Sequence, residues 1–249
     1  MMRALILGGT SDANMLADAA ARAEFDAVYS YGGRTRAPAN QPLPTRTGGF
    51  GGASGLADYI RREGITHVVD ATHPFAAEMS RNAVAACAAT RTPLIALERA
   101  PWAKAAADTW IEVADITSAV AALPDDRARV FLAIGRQHIA AFSTKPQHAY
   151  TLRFVDPPDG PLLFPDVDVI VSRGPFTLAG ELKMMRSRGI GWIVARNSGG
   201  TGARAKIDAA RELGLPVVML ARPELPDRPR TESVAEVMQW LGHRACLGA

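Results

Sequence analysis

The sequence has few cysteines and no long apolar run, and both shortages narrow the class of protein. Its two cysteines, Cys87 and Cys246, lie far apart, which supports neither a disulfide framework nor a cysteine metal site. No apolar run approaches the roughly 20 residues that span a bilayer. The first strand begins within three residues of the start, which leaves no room for a signal peptide. We therefore expect a cytoplasmic protein without a membrane partner.

Charge and histidine patterns exclude further classes. The 28 basic and 25 acidic residues are spread along the chain, and no basic tract suggests a nucleic-acid partner. The five histidines lack zinc-type spacing, so we predict no metal. None of the strand-like segments indicates a large dimer surface, so we expect a monomer.

What the sequence does have is a regular alternation of strand-like and helical segments, with short Gly/Pro turns between them. This alternation predicts an α/β fold with parallel sheets covered on both faces. The apolar runs of strand length are Ala4–Leu7, Ala27–Tyr31, His67–Ala71, Leu94–Leu97, Val130–Ile134, Tyr150–Val155, Val167–Ser172, Trp192–Ala195 and Val217–Ala221.

Nine strands are many for a single sheet in a chain of this length. The alternation of strand-like and helical segments is interrupted between Ala100 and Arg127. We therefore predict two Rossmann-like parallel-sheet domains that form a cleft. Residues 1–113 are expected to bind the cofactor, and residues 114–249 to contribute to substrate binding. Ligands of such folds lie at the carboxyl ends of the strands.

The first strand runs into a glycine turn and a helix start, where α/β proteins bind nucleotide phosphates. The spacing departs from G-x-G-x-x-G, and Ala13 stands near the place of the last glycine. Backbone N–H groups and the helix N-terminus nevertheless suit a pyrophosphate, and Ser11 or Asp12 is the expected N-cap. The predicted cofactor-binding residues of this turn are Gly8, Gly9, Thr10, Ser11 and Asp12.

The acidic residue that would bind the ribose 2′-hydroxyl of NAD is missing after the second strand. The sequence there offers Ser30, Gly33, Arg34 and Arg36 instead. Two guanidinium groups beside a hydroxyl suit a 2′-phosphate, which predicts NADPH as cofactor. The alternative is a solvated basic loop.

Two later strands are also followed by polar segments. Thr72 and His73 follow the strand at 67–71 and are expected at the cleft edge, although His73 alternatively caps the next helix or bonds a carbonyl. A second glycine loop precedes a helix that carries Lys206, and it is either an anion cradle or a flexible turn. Its residues are Ser198, Gly199, Gly200, Thr201 and Gly202.

Two further features are expected near the ligands. The glycine cluster at 48–52 is either a tight turn or a loop over the cofactor. Arg99, Arg136 and Arg173 follow strands and are expected to line one cleft, where arginine forks suit carboxylates.

The chain resembles the precorrin-6A reductase family of cobalamin biosynthesis along almost its whole length, and the block at 70–76 is the most specific. Arg196-Asn197 departs from the pattern expected before Ser198, which leaves the contacts of that loop open. The blocks that carry the resemblance are Ile6-Leu-Gly-Gly-Thr-Ser-Asp-Ala13, Gly33-Arg-Thr35, Asp70-Ala-Thr-His-Pro-Phe-Ala76, Glu98-Arg-Ala-Pro-Trp102, Gly174-Pro-Phe176 with Glu181, Asn197-Ser-Gly-Gly-Thr-Gly202 and Lys206-Ile-Asp-Ala-Ala210.

The resemblance implies an NADPH-dependent reduction of the precorrin-6A macrocycle to precorrin-6B by hydride transfer. The implied substrate is a tetrapyrrole with acetate and propionate chains, which gives the arginines and the second glycine loop a purpose. His73 and Lys206 are the candidate catalytic residues for the accompanying proton, with a bound water as the alternative. Three other functions stay open: a cobalt-precorrin-6A reductase, a reductase of another small acid, and a non-catalytic NADPH- or ligand-binding protein.

Overall fold

The computed structural model describes residues 2–33, 39–158 and 160–245. The chain divides into two compact units, each built on one six-stranded parallel sheet. Met1–Ala100 and Pro223–Ala249 form the first unit, and Pro101–Arg222 forms the second. None of the helices in the described ranges combines the length and the apolar character that crossing a membrane requires.

The sheet of the first unit has the strand order β12-β5-β4-β1-β2-β3. Its strands are β1 (Ala4–Leu7), β2 (Ala27–Tyr31), β3 (Thr45–Thr47), β4 (His67–Asp70), β5 (Leu94–Leu97) and β12 (Arg230–Thr231). The helices of this unit are α1 (Ser11–Arg22), α2 (Gly52–Arg62), α3 (Ala77–Thr90) and α7 (Val234–Ala245).

Helices cover both faces of this sheet, which explains why its central strands are apolar throughout. Successive side chains of a strand lie on opposite faces. Ile6 of β1 accordingly belongs to a core cluster with Leu16 of α1 and Leu241 of α7. Its neighbour Leu5 belongs to a second cluster with Leu56 of α2.

The sheet of the second unit has the strand order β6-β11-β10-β7-β8-β9. Its strands are β6 (Trp110–Val113), β7 (Arg129–Ala133), β8 (Ala149–Phe154), β9 (Val167–Val171), β10 (Trp192–Arg196) and β11 (Val217–Leu220). Its helices are α4 (Ile116–Ala121), a 3-10 helix (Arg136–Thr144), α5 (Leu178–Arg188) and α6 (Ala205–Glu212).

Both sheets follow the strand order of dinucleotide-binding folds, with one difference in connectivity. The outer strand beside β5 is β12, which the chain supplies only after completing the second unit. The outer strand beside β11 is β6, which precedes the rest of its sheet. The observed division therefore differs from the predicted bounds of 1–113 and 114–249, because β6 pairs with β11 and β12 pairs with β5.

All nine predicted strands are present, with ends within one residue of the expected positions. The three further strands in the described ranges are β3, β6 and β12, and each lies at the edge of its sheet. These strands are short, and β3 and β12 consist of threonine and arginine. An edge strand can be stable without apolar residues on both of its faces. A prediction from apolar runs of strand length therefore missed these three strands.

Candidate functional site

A cavity of about 450 Å³ lies in the first unit, where β1, β2, β3 and β4 end. Its volume falls within the roughly 300–1,000 Å³ of pockets that enclose small molecules and cofactors. Ser30, Thr72 and His73 are among the predicted site residues in its wall. The wall also contains eight glycines: Gly8, Gly9, Gly32, Gly33, Gly48, Gly49, Gly51 and Gly52.

Gly8 directly follows β1, and its environment requires a glycine. A Cβ at this position would lie 2.2 Å from a ring carbon of Tyr29. The Tyr29 hydroxyl accepts a hydrogen bond from the Gly9 N–H at 2.9 Å and donates one to Asn14 Oδ1 at 2.8 Å. Burial raises the pKa of Tyr29, so the phenol keeps the proton that it donates. The buried tyrosine thereby fixes the glycine turn.

The N-cap of α1 is Thr10 rather than the expected Ser11 or Asp12. The Thr10 hydroxyl accepts from the Ala13 N–H at 3.1 Å and donates to the Ala71 carbonyl at 2.9 Å. Asp12 forms an ion pair with Arg99 at 3.4 Å. Thr10, Ser11 and Asp12 therefore adjoin the glycine turn, and Gly8 and Gly9 are the residues of this turn that line the cavity.

A guanidinium group that the sequence analysis missed lies at the end of β2. Arg46 Nη1 donates to Ser30 Oγ at 2.8 Å and to the Gly48 carbonyl at 2.9 Å, and Nη2 donates to Gly49. Its guanidinium carbon lies 3.8 Å from the centre of the Phe50 ring. Arg46 and Ser30 are register partners in β3 and β2, so predicting β3 would have brought them together. Arg34 and Arg36, the predicted 2′-phosphate ligands, lie outside the described residues.

The third glycine cluster lines the cavity and leads into α2. Gly51 is the N-cap of this helix and has a φ of +84°, a backbone conformation that favours glycine. A Cβ on Gly48, Gly49, Gly51 or Gly52 would meet no atom within 4 Å. Four places on the cavity wall, two on either side of Phe50, thus lack a side chain although there is room for one.

The turn after β4 carries Thr72 and His73 on the cavity wall. Asp70 Oδ1 accepts hydrogen bonds from the Thr72 hydroxyl at 2.7 Å and from the Thr72 N–H at 3.2 Å. His73 Nδ1 accepts from the Phe75 N–H at 3.1 Å, so a neutral ring holds its proton on Nε2. His73 does not cap a helix, since α3 begins only at Ala77 with Ala76 as N-cap.

The Asp70 carboxylate also contacts the segment that returns from the second unit. Arg228 Nη2 lies 3.0 Å from Glu98 Oε2 and 3.7 Å from Asp70 Oδ2. The exposed fractions of the three side chains are 9% for Arg228, 14% for Glu98 and 2% for Asp70. This buried ion cluster ties the returning segment to the ends of β4 and β5.

In the second unit, the glycine loop at 198–202 is fixed by its neighbours. Asn197 accepts a hydrogen bond from the Trp102 N–H at 2.7 Å and donates one to the Trp102 carbonyl at 2.9 Å. Trp102 Nε1 donates to the Gly200 carbonyl at 2.7 Å, and Arg222 donates to the carbonyls of Asn197 and Ser198. The loop is therefore not a free turn, and Asn197 is one of the residues that secure it.

A second cavity, of about 180 Å³, lies in this unit at the ends of β7, β8 and β9. Arg153 and Glu181 form a two-pronged ion pair in its wall, with N–O distances of 2.7 and 3.1 Å. Lys206, the other predicted catalytic residue, also lines this cavity. Burial lowers the pKa of Lys206 to about 8, with Glu181 acting in the opposite direction. Arg153 was missed because nothing in a strand sequence marks a buried charge.

The three predicted substrate-binding arginines belong to two different units. Arg136 and Arg173 are exposed in the second unit, beyond the carboxyl ends of β7 and β9, and Arg173 lies 3.9 Å from Asp156. Arg99 belongs to the first unit, beside α1. The two catalytic candidates, His73 and Lys206, also belong to different units. Within the described ranges, no three His, Cys, Asp or Glu side chains gather as metal ligands do.

Comparisons with known proteins agree along nearly the whole chain. The family model described as Precorrin-6x reductase CbiJ/CobK matches residues 3–242. Precorrin-6A reductase of Rhodobacter capsulatus is 57% identical over 241 residues, which cover 97% of this chain and 96% of the relative. Cobalt-precorrin-6A reductase of Priestia megaterium is 30% identical over 232 residues, with 89% and 91% covered.

A solved structure described as CobK precorrin-6A reductase superposes with a TM-score of 0.94 at 57% identity. The match covers 98% of this chain and 97% of that one. The likeness in sequence and in fold therefore extends through both compact units.

Proposed function

The chain belongs to the Precorrin-6x reductase CbiJ/CobK family, and on that premise we propose that it reduces precorrin-6A to precorrin-6B with NADPH in cobalamin biosynthesis. The observation that carries the proposal is 57% identity to a precorrin-6A reductase over nearly the full length of both chains. Identity to a cobalt-precorrin-6A reductase is 30%, which favours the metal-free substrate of the aerobic route. The enzyme is thus an oxidoreductase acting on a CH–CH bond.

The cavity of the first unit suits a dinucleotide. Its glycines leave open space where side chains would otherwise project, so a pyrophosphate can approach the backbone closely. We assign the contacts to Gly8, Gly9, Ser30, Gly33 and Thr72 of the wall. Backbone N–H groups of Thr10, Ser11 and Asp12 at the start of α1 complete the phosphate site, and Arg34 and Arg36 bind the 2′-phosphate.

When bound, NADPH would supply a hydride for a ring carbon of the macrocycle. The protein holds the cofactor at the glycine-lined wall and excludes water from it. His73, on the same wall, is the first candidate for the accompanying proton transfer, and because Nδ1 accepts a hydrogen bond from the Phe75 N–H, Nε2 is the ring nitrogen that would carry the proton. Lys206 is the second candidate proton donor, since a pKa of about 8 lets it give up a proton near neutral pH.

We assign substrate binding to the second unit together with Arg99. Arg136 and Arg173 are exposed guanidinium groups at one edge of its sheet and suit the acidic chains of a tetrapyrrole. The fixed loop at 198–202 supplies backbone N–H groups for another anionic group. We further propose that the protein is a monomer in the cytoplasm. Size-exclusion chromatography with light scattering tests the oligomeric state.

The test is an anaerobic incubation of the purified protein with metal-free precorrin-6A and either NADPH or NADH. Cofactor oxidation and the pigment spectrum are followed together. We expect oxidation of NADPH in step with the spectral change, and a product that is heavier by two hydrogens. Turnover only with the cobalt-containing substrate would contradict the assignment to the aerobic route. NADPH binding without turnover of either substrate would leave a ligand-binding protein.

A further inference from the structure

Two hydroxyl groups in the wall of the first unit's cavity are held by charged side chains of opposite sign. Ser30 is the next-to-last residue of β2, and Thr72 follows the end of β4 by two residues. β1 lies between these two strands, so the glycine turn after β1 separates the hydroxyls. Arg46 donates a hydrogen bond to Ser30, and Asp70 accepts one from Thr72. The two sides of this cavity therefore differ in the charge that lies behind the wall.

The Thr72 hydroxyl can only accept a hydrogen bond from a ligand. It donates its proton to Asp70 Oδ1 at 2.7 Å, and an ionised carboxylate has no proton to give in return. Arg228, 3.7 Å from Asp70 Oδ2, supplies the opposite charge that such a buried carboxylate requires. A hydroxyl oxygen has two lone pairs, and the other hydrogen-bonding neighbour of Thr72 Oγ1 in the described ranges is Ser80 Oγ at 3.4 Å. At least one lone pair is thus left for a donor.

The Ser30 hydroxyl has the opposite polarity. Its oxygen accepts a hydrogen bond from Arg46 Nη1 at 2.8 Å, and its proton has no acceptor among the described residues. Ser30 is only 4% exposed, and buried polar groups are as a rule hydrogen-bonded. A ligand oxygen in the cavity would accept this proton. The wall thus presents a donor at the end of β2 and an acceptor after β4.

The two halves of NADPH match these polarities. The 2′-phosphate on the adenosine ribose carries oxygen acceptors and a negative charge, which suit the Ser30 proton and the Arg46 guanidinium behind it. The nicotinamide ring carries a carboxamide, whose amino group donates hydrogen bonds. His73, the candidate for proton transfer, directly follows Thr72 on the cavity wall. The ring that carries the hydride therefore belongs on the side of Thr72.

We propose that Thr72 accepts a hydrogen bond from the carboxamide N–H of the nicotinamide, and that Asp70 is the positioning residue that sets this polarity. The identity of the ligand as NADPH rests on the function proposed above. Asp70 is not among the described residues of the cavity wall, so it acts on the cofactor through Thr72. The arrangement selects a ring whose substituent can donate a hydrogen bond.

Three ligands separate the contacts in calorimetric titrations of the full-length protein. They are NADP⁺, adenosine 2′,5′-bisphosphate, which lacks the nicotinamide half, and the 3-acetylpyridine analogue of NADP⁺, in which a methyl group replaces the amino group of the carboxamide. We expect Thr72→Val to weaken NADP⁺ binding about tenfold and to leave the affinities for the other two ligands unchanged. Thr72→Ser should bind all three as the wild type does. Ser30→Ala should weaken all three similarly, because each carries the 2′-phosphate.

Asp70→Asn tests the positioning role. The asparagine amide can donate to Thr72 Oγ1 and free its proton for the ligand, where the carbonyl of NADP⁺ or of the analogue accepts it equally well. We therefore expect the wild type to prefer NADP⁺ over the analogue about tenfold and this variant to show no preference. A purely structural loss would lower both affinities and keep their ratio. The matched controls, Thr45→Val on β3 and Asp58→Asn on α2, change exposed side chains and should keep the wild-type ratio.

Three results would overturn the proposal. Equal losses of affinity for NADP⁺ and the analogue in Thr72→Val would mean that the carboxamide does not donate to Thr72. A loss of affinity for adenosine 2′,5′-bisphosphate in the same variant would place the adenosine half there, and an unchanged preference for NADP⁺ in Asp70→Asn would remove the positioning role. The titrations require no precorrin-6A, so they decide the contact even if the proposed reduction fails. If none of the three ligands binds the wild type, the proposed cofactor fails together with this contact.

Discussion

The two sheets share one strand order but differ in what occupies the carboxyl ends of their strands. The first unit has eight glycines around about 450 Å³, and the second has three phenylalanine rings and three charged side chains around about 180 Å³. The glycines after the first central strand also differ. Gly8 lies directly against the Tyr29 ring, whereas a Cβ on Gly135 would approach the end of the Arg196 side chain most closely, at 3.2 Å, and would be in ordinary contact with His138 at 3.8 Å. The shared topology places a binding edge at the carboxyl ends of the strands in both sheets. The residues at that edge decide which ligand fits there.

The outer strands allow a second comparison, because each is secured by a buried ion pair. Arg228 secures the segment before β12 to Glu98 and Asp70, and Arg211 of α6 holds Asp108 before β6 with N–O distances of 2.8 and 3.2 Å. Burial alone would raise the pKa of Asp108, but hydrogen bonds from Arg211 and Ala105 outweigh it and leave this pKa lowered. Both short strands thus depend on charges outside the sheet.

The largest effect is expected for Arg228→Met in the first unit. This change removes the cation that lies beside the carboxylates of Asp70 and Glu98, and we expect a loss of about 3 kcal/mol in the free energy of unfolding. The measurement is urea denaturation at pH 7, with Arg230→Met as control, since Arg230 is exposed on β12. Equal stability of the two variants would show that the ion cluster does not hold the returning segment.

Gly8→Ala and Gly135→Ala form a matched pair across the two sheets. The new Cβ at position 8 displaces Tyr29 and breaks its bonds to Gly9 and Asn14, so we expect NADPH affinity to fall about 100-fold with a lower Tm. Gly135 has an ordinary φ of −70°, and the end of an arginine can move, so its variant should behave as wild type. Fluorescence titration with NADPH measures both. Similar losses in the two variants would contradict the difference between the glycine turns.

Arg34→Ala combined with Arg36→Ala tests cofactor choice in the first unit. Loss of two guanidinium groups should weaken NADPH binding about 10- to 100-fold and leave NADH binding nearly unchanged. Arg62→Ala, which removes an exposed arginine of α2, is the control for lost positive charge. An equal loss of affinity for both cofactors would contradict the 2′-phosphate assignment.

The smallest effect concerns pH and the second unit. The charged groups that act on Lys206 are Glu181, Arg153 and Arg196, and the arginines stay protonated at any working pH. With a pKa of about 8, the ammonium loses its proton as the pH rises, so kcat/KM for precorrin-6A should fall about tenfold between about pH 7 and 9. Lys206→Arg should remove this fall. A wild-type profile that stays flat would mean that the reaction does not depend on the charged form of Lys206.

Strong local signals in the sequence determined much of this protein. Nine strands were predictable because each is rich in apolar residues, and Gly8, Gly9, Thr72 and His73 were predictable because they closely follow such strands. The family was also recognisable from short blocks along the chain. These features depend on residues that are neighbours in sequence.

The tertiary structure decided what depends on distant residues. The bounds of the two units depend on which sheet each outer strand joins. β6 pairs with β11, and β12 pairs with β5, and in both pairs the two strands are more than 100 residues apart in sequence. Arg46 beside Ser30, Arg228 beside Asp70, and Arg153 beside Glu181 carry no local signal, since an arginine in a strand or loop reads as an exposed charge. Only the folded chain buries these charges and provides their partners, because a charge leaves water at low cost only when a partner is already in place.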